Sequence, residues 1–286
     1  MNVLVTGSTG KVGSRLVPSL LSGGHSVRIL VRRTDDETAR KLKAKGAETS
    51  IGDIMQPESL PEALDGVDTI VHLAAFFRSL RSEDAEKIKS VNETGTKNIA
   101  EAASQINTGI RFVFSSTSTV YNNDAAPALE SDHVSPAAAY PSSKVASEKL
   151  LLGMHAAKRL DVRILRFSFV YGAGDPHLPE SIPFFERLNL HPAYRLHMVH
   201  HLDVAQAVKL AMGVSAMGGG IYNVADDSPI TLQEVIRLTG QTAKLADPAT
   251  PLTNAWSGLV SAEKIRSLGF RPLVPSYYAA SDLNIL

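Results

Sequence analysis

The chain has 286 residues, of which 44% are hydrophobic and 20% charged, and 29 basic and 29 acidic side chains give it a formal net charge of zero. This composition is typical of a globular protein, and the balanced charge predicts neither a nucleic-acid partner nor a membrane-surface partner. Because cysteine is absent, disulfide bonds, thiolate chemistry and cysteine-ligated metals are excluded. No apolar run approaches the roughly 20 residues of a membrane span. The first residues are predicted to form a strand and do not have the pattern of a secretion signal, so we expect a cytoplasmic protein.

Strand-like and helix-like stretches alternate over the first two thirds of the chain. Apolar β-branched runs predict strands at residues 3–6, 27–31, 49–51, 69–73, 111–114 and 162–165. Amphipathic stretches between them predict helices near residues 12–21, 37–45, 57–64, 85–103 and 142–158. Parallel strands need crossover connections, so this alternation predicts an α/β protein with a doubly wound parallel sheet, the Rossmann fold.

The pattern loosens beyond about residue 167. A proline-rich stretch at 172–192 predicts a loop, and it precedes predicted helices near 203–213, 232–238 and 262–268 and a strand at 221–224. We therefore divide the chain into a dinucleotide-binding domain, residues 1–167, and a smaller C-terminal substrate-binding lobe, residues 168–286. Elements of this lobe are expected to intermix with the main sheet.

A glycine-rich turn joins the first predicted strand to the first helix. Gly7 permits the turn, Gly10 lets the backbone approach a pyrophosphate, and Gly13 lets helix and strand pack closely. The N-terminus of the helix offers free N–H groups and a positive dipole end to a diphosphate. The order of strand, turn and helix indicates a dinucleotide site. The turn residues assigned to the cofactor are Gly7, Thr9, Gly10, Lys11, Val12 and Gly13.

The ends of the second and third predicted strands bear on the choice of cofactor. The second strand is followed by Arg32 and Arg33, with no carboxylate before Asp35. NAD sites place an acid at this point to bind the ribose, whereas guanidinium groups suit the 2′-phosphate of NADP. We therefore expect NADP(H) to be preferred, with NAD(H) as the alternative. After the third strand, Asp53 either accepts a hydrogen bond from the adenine amino group or caps the next helix.

A hydroxyl-rich strand end and a tyrosine–lysine pair indicate acid–base chemistry. The fifth predicted strand runs into Ser115, Ser116 and Thr117, and Tyr140 and Lys144 follow one helical turn apart on one face. An ammonium group beside a phenol stabilises the phenolate and lowers the pKa of the tyrosine. Taken alone, the pair is equally typical of a surface contact. After a dinucleotide turn, it favours catalysis.

Together these motifs resemble those of an extended short-chain dehydrogenase/reductase of the NAD-dependent epimerase/dehydratase kind, over nearly the whole chain. The matching segments are residues 6–13, 52–53, 72–75, 91–96, 114–121 and 140–144, Arg166 with 170–172, and 200–205. The resemblance implies that Tyr140 is the acid/base, that Lys144 tunes it and bonds the nicotinamide ribose, and that Thr117 binds the substrate. It also implies a homodimer built from the helices at 85–103 and 142–158. Further cofactor contacts are assigned to Asp53, Ile54, Leu73, Ala74, Ala75, Asn92, Ser115, Phe167, Phe169 and Val170, and further substrate contacts to Phe77, Arg78, Tyr171 and His201.

Departures from the family pattern narrow the expected reaction. Sugar-nucleotide 4,6-dehydratases carry Asp-Glu after the catalytic threonine, where this chain has Ser118 and Thr119, so we expect no water elimination. Nucleotide-sugar epimerases commonly have asparagine where Phe169 stands, and Arg187 and Arg195 are the candidate diphosphate ligands in the lobe. Several aromatic residues either line an apolar pocket or belong to the core. These are Phe76, Phe77, Phe169, Phe184, Phe185 and Tyr194.

The sequence thus predicts an NAD(P)-dependent oxidoreductase that interconverts a secondary alcohol and a ketone. The alternatives are a nucleotide-sugar epimerase with a transient keto intermediate and a non-catalytic NADP-sensing protein. No metal is expected, because the histidines lack an accompanying metal motif such as His-Glu-x-x-His. Structural or substrate-contacting roles are expected for His191, His197, His200 and His201.

Overall fold

A parallel sheet forms the centre of the molecule. The computed structural model describes residues 1–77, 84–122, 125–172, 174–253 and 255–286. Its strands are β1 (Asn2–Thr6), β2 (Ser26–Val31), β3 (Glu48–Ile51), β4 (Thr69–His72), β5 (Arg111–Thr117), β6 (Asp161–Phe167), β7 (Phe169–Tyr171), β8 (Arg195–Leu196), β9 (Met198–His200), β10 (Gly220–Val224) and β11 (Ile230–Thr231). Within these residues seven strands pair in the order β10-β6-β5-β4-β1-β2-β3, all parallel. The order reverses at β1, as the doubly wound fold class requires, and that prediction is confirmed.

Helices cover both faces of this sheet. They are α1 (Gly13–Ser22), α2 (Glu37–Ala44), α3 (Pro61–Leu64), α4 (Ala85–Lys89), α5 (Gly95–Ile106), α6 (Ala139–Ala156), α7 (His177–Arg187), α8 (His201–Gly213), α9 (Leu232–Thr239), α10 (Glu263–Ser267) and α11 (Tyr277–Asp282). A π-helical turn at Ser90–Thr94 joins α4 to α5. In the described part of the chain, no helix is both long and apolar enough to span a bilayer.

Side-chain alternation along β1 shows how the two cores form. Val3 and Val5 pack with α1 and α8 on one face, while Leu4 packs with α5 and α6 on the other. Successive side chains of a strand point to opposite faces, so a strand buried on both faces needs an uninterrupted apolar run. This explains why the N-terminal stretch could be predicted as a central strand.

The C-terminal part of the chain combines a small core of its own with one strand of the main sheet. β10 pairs with β6, while β7 with β9 and β8 with β11 form two small sheets. A separate apolar cluster joins α7, α9 and α11. The division of the chain at residue 167 stays a prediction.

The loop prediction for residues 172–192 is wrong at residues 177–187, which form helix α7. Pro176 precedes the helix as its N-cap, and Pro179 lies in the first turn, where a backbone N–H has no partner within the helix anyway. Pro183 lies inside the helix, where it removes one hydrogen bond. Burial of Leu178, Ile182 and Phe185 along one face stabilises the helix despite that loss.

Candidate active site

The glycine turn after β1 has the geometry of a dinucleotide cradle. Gly7 has φ +68°, and a Cβ there would lie 2.6 Å from the amide nitrogen of Ala74, while a Cβ at Gly13 would lie 2.3 Å from the Gly7 carbonyl oxygen. A Cβ at Gly10, in contrast, would meet no heavy atom of the described residues within 4 Å beyond its chain neighbours except that oxygen, at 3.2 Å. The Ser8 hydroxyl is buried and has no hydrogen-bond partner among the described residues, and α1 begins without a side-chain cap. The Ser8 hydroxyl and the backbone N–H groups at the start of α1 are thus hydrogen-bond donors that fit the diphosphate of a dinucleotide.

Lys11 links this turn to helix α7. Its ammonium group donates a hydrogen bond to Glu180 at 2.6 Å and lies 3.9 Å from a carboxylate oxygen of Asp175. Asp175 in turn pairs with His201 at 2.8 Å, and both of those side chains are buried. The side chain of Lys11 is therefore directed to the C-terminal part of the chain, while its backbone remains in the turn.

The two arginines after β2 differ in their partners. Arg33 forms a bidentate contact with Asp35, at 2.8 and 2.5 Å, and both side chains are exposed. Arg32 is exposed and has no ion pair among the described residues. Asp53 accepts a hydrogen bond from the backbone of Met55 at 2.9 Å. The next helical turn, Pro57–Ser59, has Gln56 as its N-cap, so Asp53 does not cap it.

The backbone after β4 runs directly beside the glycine turn. Leu73 and Ala74 donate backbone hydrogen bonds to the carbonyl and hydroxyl oxygens of Thr6, at 3.2 and 3.3 Å. Two residues on, Phe76 exchanges hydrogen bonds with the side chain of Asn92, which also donates to the Ser143 hydroxyl at 2.9 Å. Asn92 lies in the π-helical turn and is buried, so it holds this backbone against α6. Ala75 is half-buried in the same segment, whereas Arg78 lies outside the described residues.

Tyr140 and Lys144 lie one turn apart near the start of α6. The Lys144 ammonium group is buried, donates to the Ser115 carbonyl oxygen at 2.8 Å, and lies 5.7 Å from the centroid of the Tyr140 ring. Burial lowers the pKa of Lys144 to about 7, although the charge of Glu148 opposes this shift. Burial also raises the pKa of Tyr140 to about 12. The expected lowering of the Tyr140 pKa by the lysine is not found, and burial is the cause of the opposite shift.

Thr117 is the last residue of β5 and lies at the edge of the sheet where the parallel strands have their carboxyl ends, as does the glycine turn after β1. Its hydroxyl accepts a hydrogen bond from the Thr119 backbone at 3.2 Å and lies 2.9 Å from the Thr119 hydroxyl. This contact starts the short 3-10 turn Ser118–Val120. Thr117 is 9% exposed, so its hydroxyl is fixed by the turn.

A buried ion pair that the sequence analysis did not identify joins helix α6 to strand β6. Glu148 receives hydrogen bonds from the Arg166 guanidinium at 2.9 and 2.5 Å and from the Ser116 hydroxyl at 2.5 Å. Arg166 also donates to the Tyr121 hydroxyl at 2.6 Å, which donates to Asn223 of β10 at 2.8 Å. Glu148 stands four residues after Lys144, so helical spacing alone was a signal for its position on the same face.

Four aromatic rings extend from Tyr140 to helix α7, and we call them the aromatic row. Phe77 contacts the Tyr140 ring edge to face, with 4.7 Å between centroids, and the His177 ring at 5.9 Å. The His177 ring lies parallel to that of Phe169, at 4.6 Å and 9°. His177 was not identified from the sequence, because residues 172–192 were predicted as a loop.

Several predicted site residues are part of the core. Phe167 and Ile54 are buried, while Val170 is partly buried against the main core. Tyr171 is buried against Tyr277, with 5.1 Å between ring centroids, and His201 is held by Asp175. The structure thus brings neither Tyr171 nor His201 into the aromatic row. The remaining three histidines of the sequence prediction have intramolecular partners as well. His191 accepts a hydrogen bond from the Ala193 backbone. His197 and His200 contact the backbone carbonyl oxygens of Asp226 and Ile285, respectively.

Comparison with known proteins identifies the family. The model of the NAD dependent epimerase/dehydratase family matches residues 3–225. The chain belongs to this family. It is an extended short-chain dehydrogenase/reductase, as its resemblance to these proteins implied.

Relatives within the epimerase/dehydratase family carry out different reactions. A 4-hydroxy-2-methyl-3-oxo-4-farnesyl-3,4-dihydroquinoline-1-oxide ketoreductase of Stigmatella aurantiaca is 31% identical over 252 residues, which cover 85% of this chain and 73% of the relative. A dTDP-glucose 4,6-dehydratase of Streptomyces niveus is 30% identical over 257 residues, covering 82% and 75%. The crystal structure of the UDP-glucose 4-epimerase of Thermus thermophilus in complex with NAD has a TM-score of 0.78 and 27% identity, covering 98% and 97%. Family membership therefore supports a nicotinamide cofactor and leaves the reaction to be argued from the site.

Proposed function

We propose that the chain is an NAD(P)-dependent oxidoreductase that interconverts a secondary alcohol and a ketone. The observation that carries this proposal is the placement of Tyr140 and Lys144 on one helix face, with the Lys144 ammonium group bonded to the end of β5 at Ser115. Thr117 ends the same strand, and the glycine turn lies at the same edge of the sheet. A ketoreductase among the relatives supports the same reaction class.

In this mechanism the protein moves one proton and positions one oxygen. A nicotinamide cofactor held at the glycine turn would supply the hydride for reduction and accept it in oxidation. The Tyr140 hydroxyl donates its proton to the carbonyl oxygen during reduction and takes it back during oxidation. The Thr117 hydroxyl donates a hydrogen bond to the same oxygen and orients it. Hydride and proton together convert the ketone into the alcohol, and a proton from solvent restores the Tyr140 hydroxyl before the next turnover.

The pKa values of the pair suit the direction of reduction. With its pKa raised to about 12 by burial, Tyr140 is protonated at neutral pH and able to donate. The Lys144 ammonium group stabilises the phenolate that forms when the proton leaves. Burial lowers the pKa of Lys144 to about 7 even though the negative charge of Glu148 raises it, so Glu148 favours the protonated form of this amine.

For the cofactor we propose a preference for NADP(H). Arg32 supports it, since this exposed guanidinium has no ion pair among the described residues and follows the strand that contacts the adenosine ribose in dinucleotide folds. Arg33 is the weaker candidate because Asp35 occupies its guanidinium. NAD(H) is the alternative, and a structural neighbour is in complex with NAD.

The 4,6-dehydratase reaction is disfavoured by the residues that follow Thr117. Removal of water from a sugar needs an acid and a base, and Ser118 and Thr119 provide hydroxyl groups that are not ionised at neutral pH. A Streptomyces niveus relative is a dTDP-glucose 4,6-dehydratase, so we make this reaction part of the test. An assay with dTDP-glucose is expected to give no keto-deoxy product.

The proposal is tested with Tyr140→Phe, assayed by the absorbance of reduced nicotinamide against a panel of ketones. We expect turnover to fall by about 10²–10⁴-fold, the usual contribution of general acid–base catalysis. Cofactor affinity, measured by calorimetry, should stay within about twofold, because the substitution removes no group from the glycine turn. Tyr278→Phe is the matched control, since this phenol lies on α11 and bonds Arg237 and Glu234. Wild-type turnover by Tyr140→Phe would overturn the proposal.

A further inference from the structure

We infer that the site takes a planar, apolar carbonyl compound, such as an aryl or fused-ring ketone, whose ring system stacks on the aromatic row. This inference rests on the proposed function and names its substrate class. The row begins at the Tyr140 phenol, so a ketone whose oxygen meets that hydroxyl places its own rings beside Phe77. Phe77 is 48% exposed although it contacts Tyr140, which leaves much of its ring surface available. Aromatic rings pair in offset or edge-to-face arrangements of the kind already present in the row.

The middle of the row is uncharged at neutral pH. Burial, followed by the nearby charge of Lys11, lowers the pKa of His177 below its ordinary value. Its imidazole ring is then a neutral plate stacked on Phe169 at 4.6 Å. Phe185 lies behind Phe169, with 6.2 Å between centroids, and fixes it from the core side. The row therefore presents flat apolar surface to a ligand, with no cation in it.

Charges around the row do not favour a sugar nucleotide. A diphosphate is bound by cationic side chains or by free backbone N–H groups. The ammonium group of Lys11, however, already pairs with the carboxylate of Glu180 and lies 3.9 Å from that of Asp175. Arg195 donates to the Ala255 carbonyl oxygen at 2.9 Å and stacks on Trp256 at 5.2 Å.

The remaining candidate ligand of the lobe lies far from the row. Arg187 is at the opposite end of α7 from His177, which corresponds to about 15 Å along the helix axis. The carboxylates of Asp175, two residues before α7, and of Glu180, in its first turn, lie at the His177 end instead. A diphosphate beside the row would therefore meet negative charge, whereas an apolar ring system would not.

The experiment compares the reduction of two ketones, the flat aromatic naphthyl methyl ketone and the smaller, saturated cyclohexyl methyl ketone. Steady-state kinetics with NADPH are measured for the wild type and for Phe77→Leu and His177→Leu, which keep apolar volume but remove a ring. We expect the KM for the naphthyl ketone to rise about 2- to 10-fold in each variant, the factor that one aromatic contact provides, with little change for the cyclohexyl ketone. Phe184→Leu is the matched control because, within the described residues, the Phe184 ring pairs with Phe185 and with no ring of the aromatic row; it should leave both KM values unchanged.

A binding measurement separates this inference from the proposed function. Calorimetry of naphthyl ethanol and of UDP-glucose on Tyr140→Phe protein loaded with NADP⁺ needs no turnover, and Phe77→Leu in that background should weaken naphthyl ethanol binding by the same factor. Ketone reduction without preference for the naphthyl ketone, or without an effect of the two leucine substitutions, overturns the substrate class and leaves the oxidoreductase intact. Tighter binding of UDP-glucose than of naphthyl ethanol also overturns it. If no ketone is reduced but naphthyl ethanol binds and Phe77→Leu weakens it, the inference holds and the proposed reaction fails.

Discussion

Replacing Glu148 by glutamine should destabilise the protein far more than the loss of a typical ion pair. The Glu148 and Arg166 side chains are 4% and 3% exposed, and their contact is bidentate. Removing one partner of a buried pair leaves an uncompensated charge in the interior, which costs about 3–5 kcal/mol of unfolding free energy. In Glu148→Gln the amide also presents N–H groups where a carboxylate oxygen accepted from Arg166. The loss should lower the melting temperature by about 10 °C, at about 2–4 °C per kcal/mol for a chain of this size.

The assay is urea unfolding of Glu148→Gln beside a surface control. Glu37→Gln removes a carboxylate from an exposed pair with Lys41 at 2.7 Å, and pairs of this kind contribute about 0.3–0.5 kcal/mol. The double variant Glu148→Gln with Arg166→Met should recover part of the loss, because it removes the unpaired charge as well. A Glu148→Gln protein within about 1 kcal/mol of the wild type would refute the reasoning, since the pair would then be no more important than the surface one.

Two further substitutions test the cofactor site. Gly13→Ala should abolish dinucleotide binding in calorimetry, because its Cβ would lie 2.3 Å from the Gly7 carbonyl oxygen. Gly153→Ala is the control, since a Cβ at this position inside α6 would lie in open space. It should keep dinucleotide binding and raise the free energy of unfolding by about 0.5–1 kcal/mol. Retained affinity in Gly13→Ala would contradict the cradle. Arg32→Ala should weaken NADP⁺ binding about tenfold and leave NAD⁺ binding unchanged, as expected for a lost charged hydrogen bond of about 1.5 kcal/mol. Arg33→Ala should weaken NADP⁺ binding less, because Asp35 already binds that guanidinium. Equal effects on NADP⁺ and NAD⁺ binding would argue against a contact with the 2′-phosphate.

Features decided by neighbouring residues could be predicted from the sequence. The turn after β1 depends on three glycines within seven residues, and two of them are required by contacts that the strand–turn–helix order already implies. The spacing of Tyr140 and Lys144 likewise depends on one helix, which begins at Ala139 and not near the predicted Ser142. In both cases local geometry was sufficient.

Features decided by distant residues could not be predicted in this way. The stacking of His177 on Phe169 and the pairing of Arg166 with Glu148 join separate elements, and periodicity within one element contains no information about such contacts. The pKa of Tyr140 was expected to fall, because the sequence places a lysine beside it. It is raised to about 12, since burial depends on everything that packs over the phenol.

The late position of β10 has a consequence for biosynthesis. Strand β6 is complete when residue 167 has left the ribosome, but its neighbour on the open side is formed by Gly220–Val224. Until that segment emerges, a nascent chain exposes the unpaired N–H and C=O groups of β6 along one edge, which is the kind of template on which chains aggregate. Truncation before residue 220 makes this intermediate permanent, so a shortened protein should need chaperones even though its glycine turn is intact.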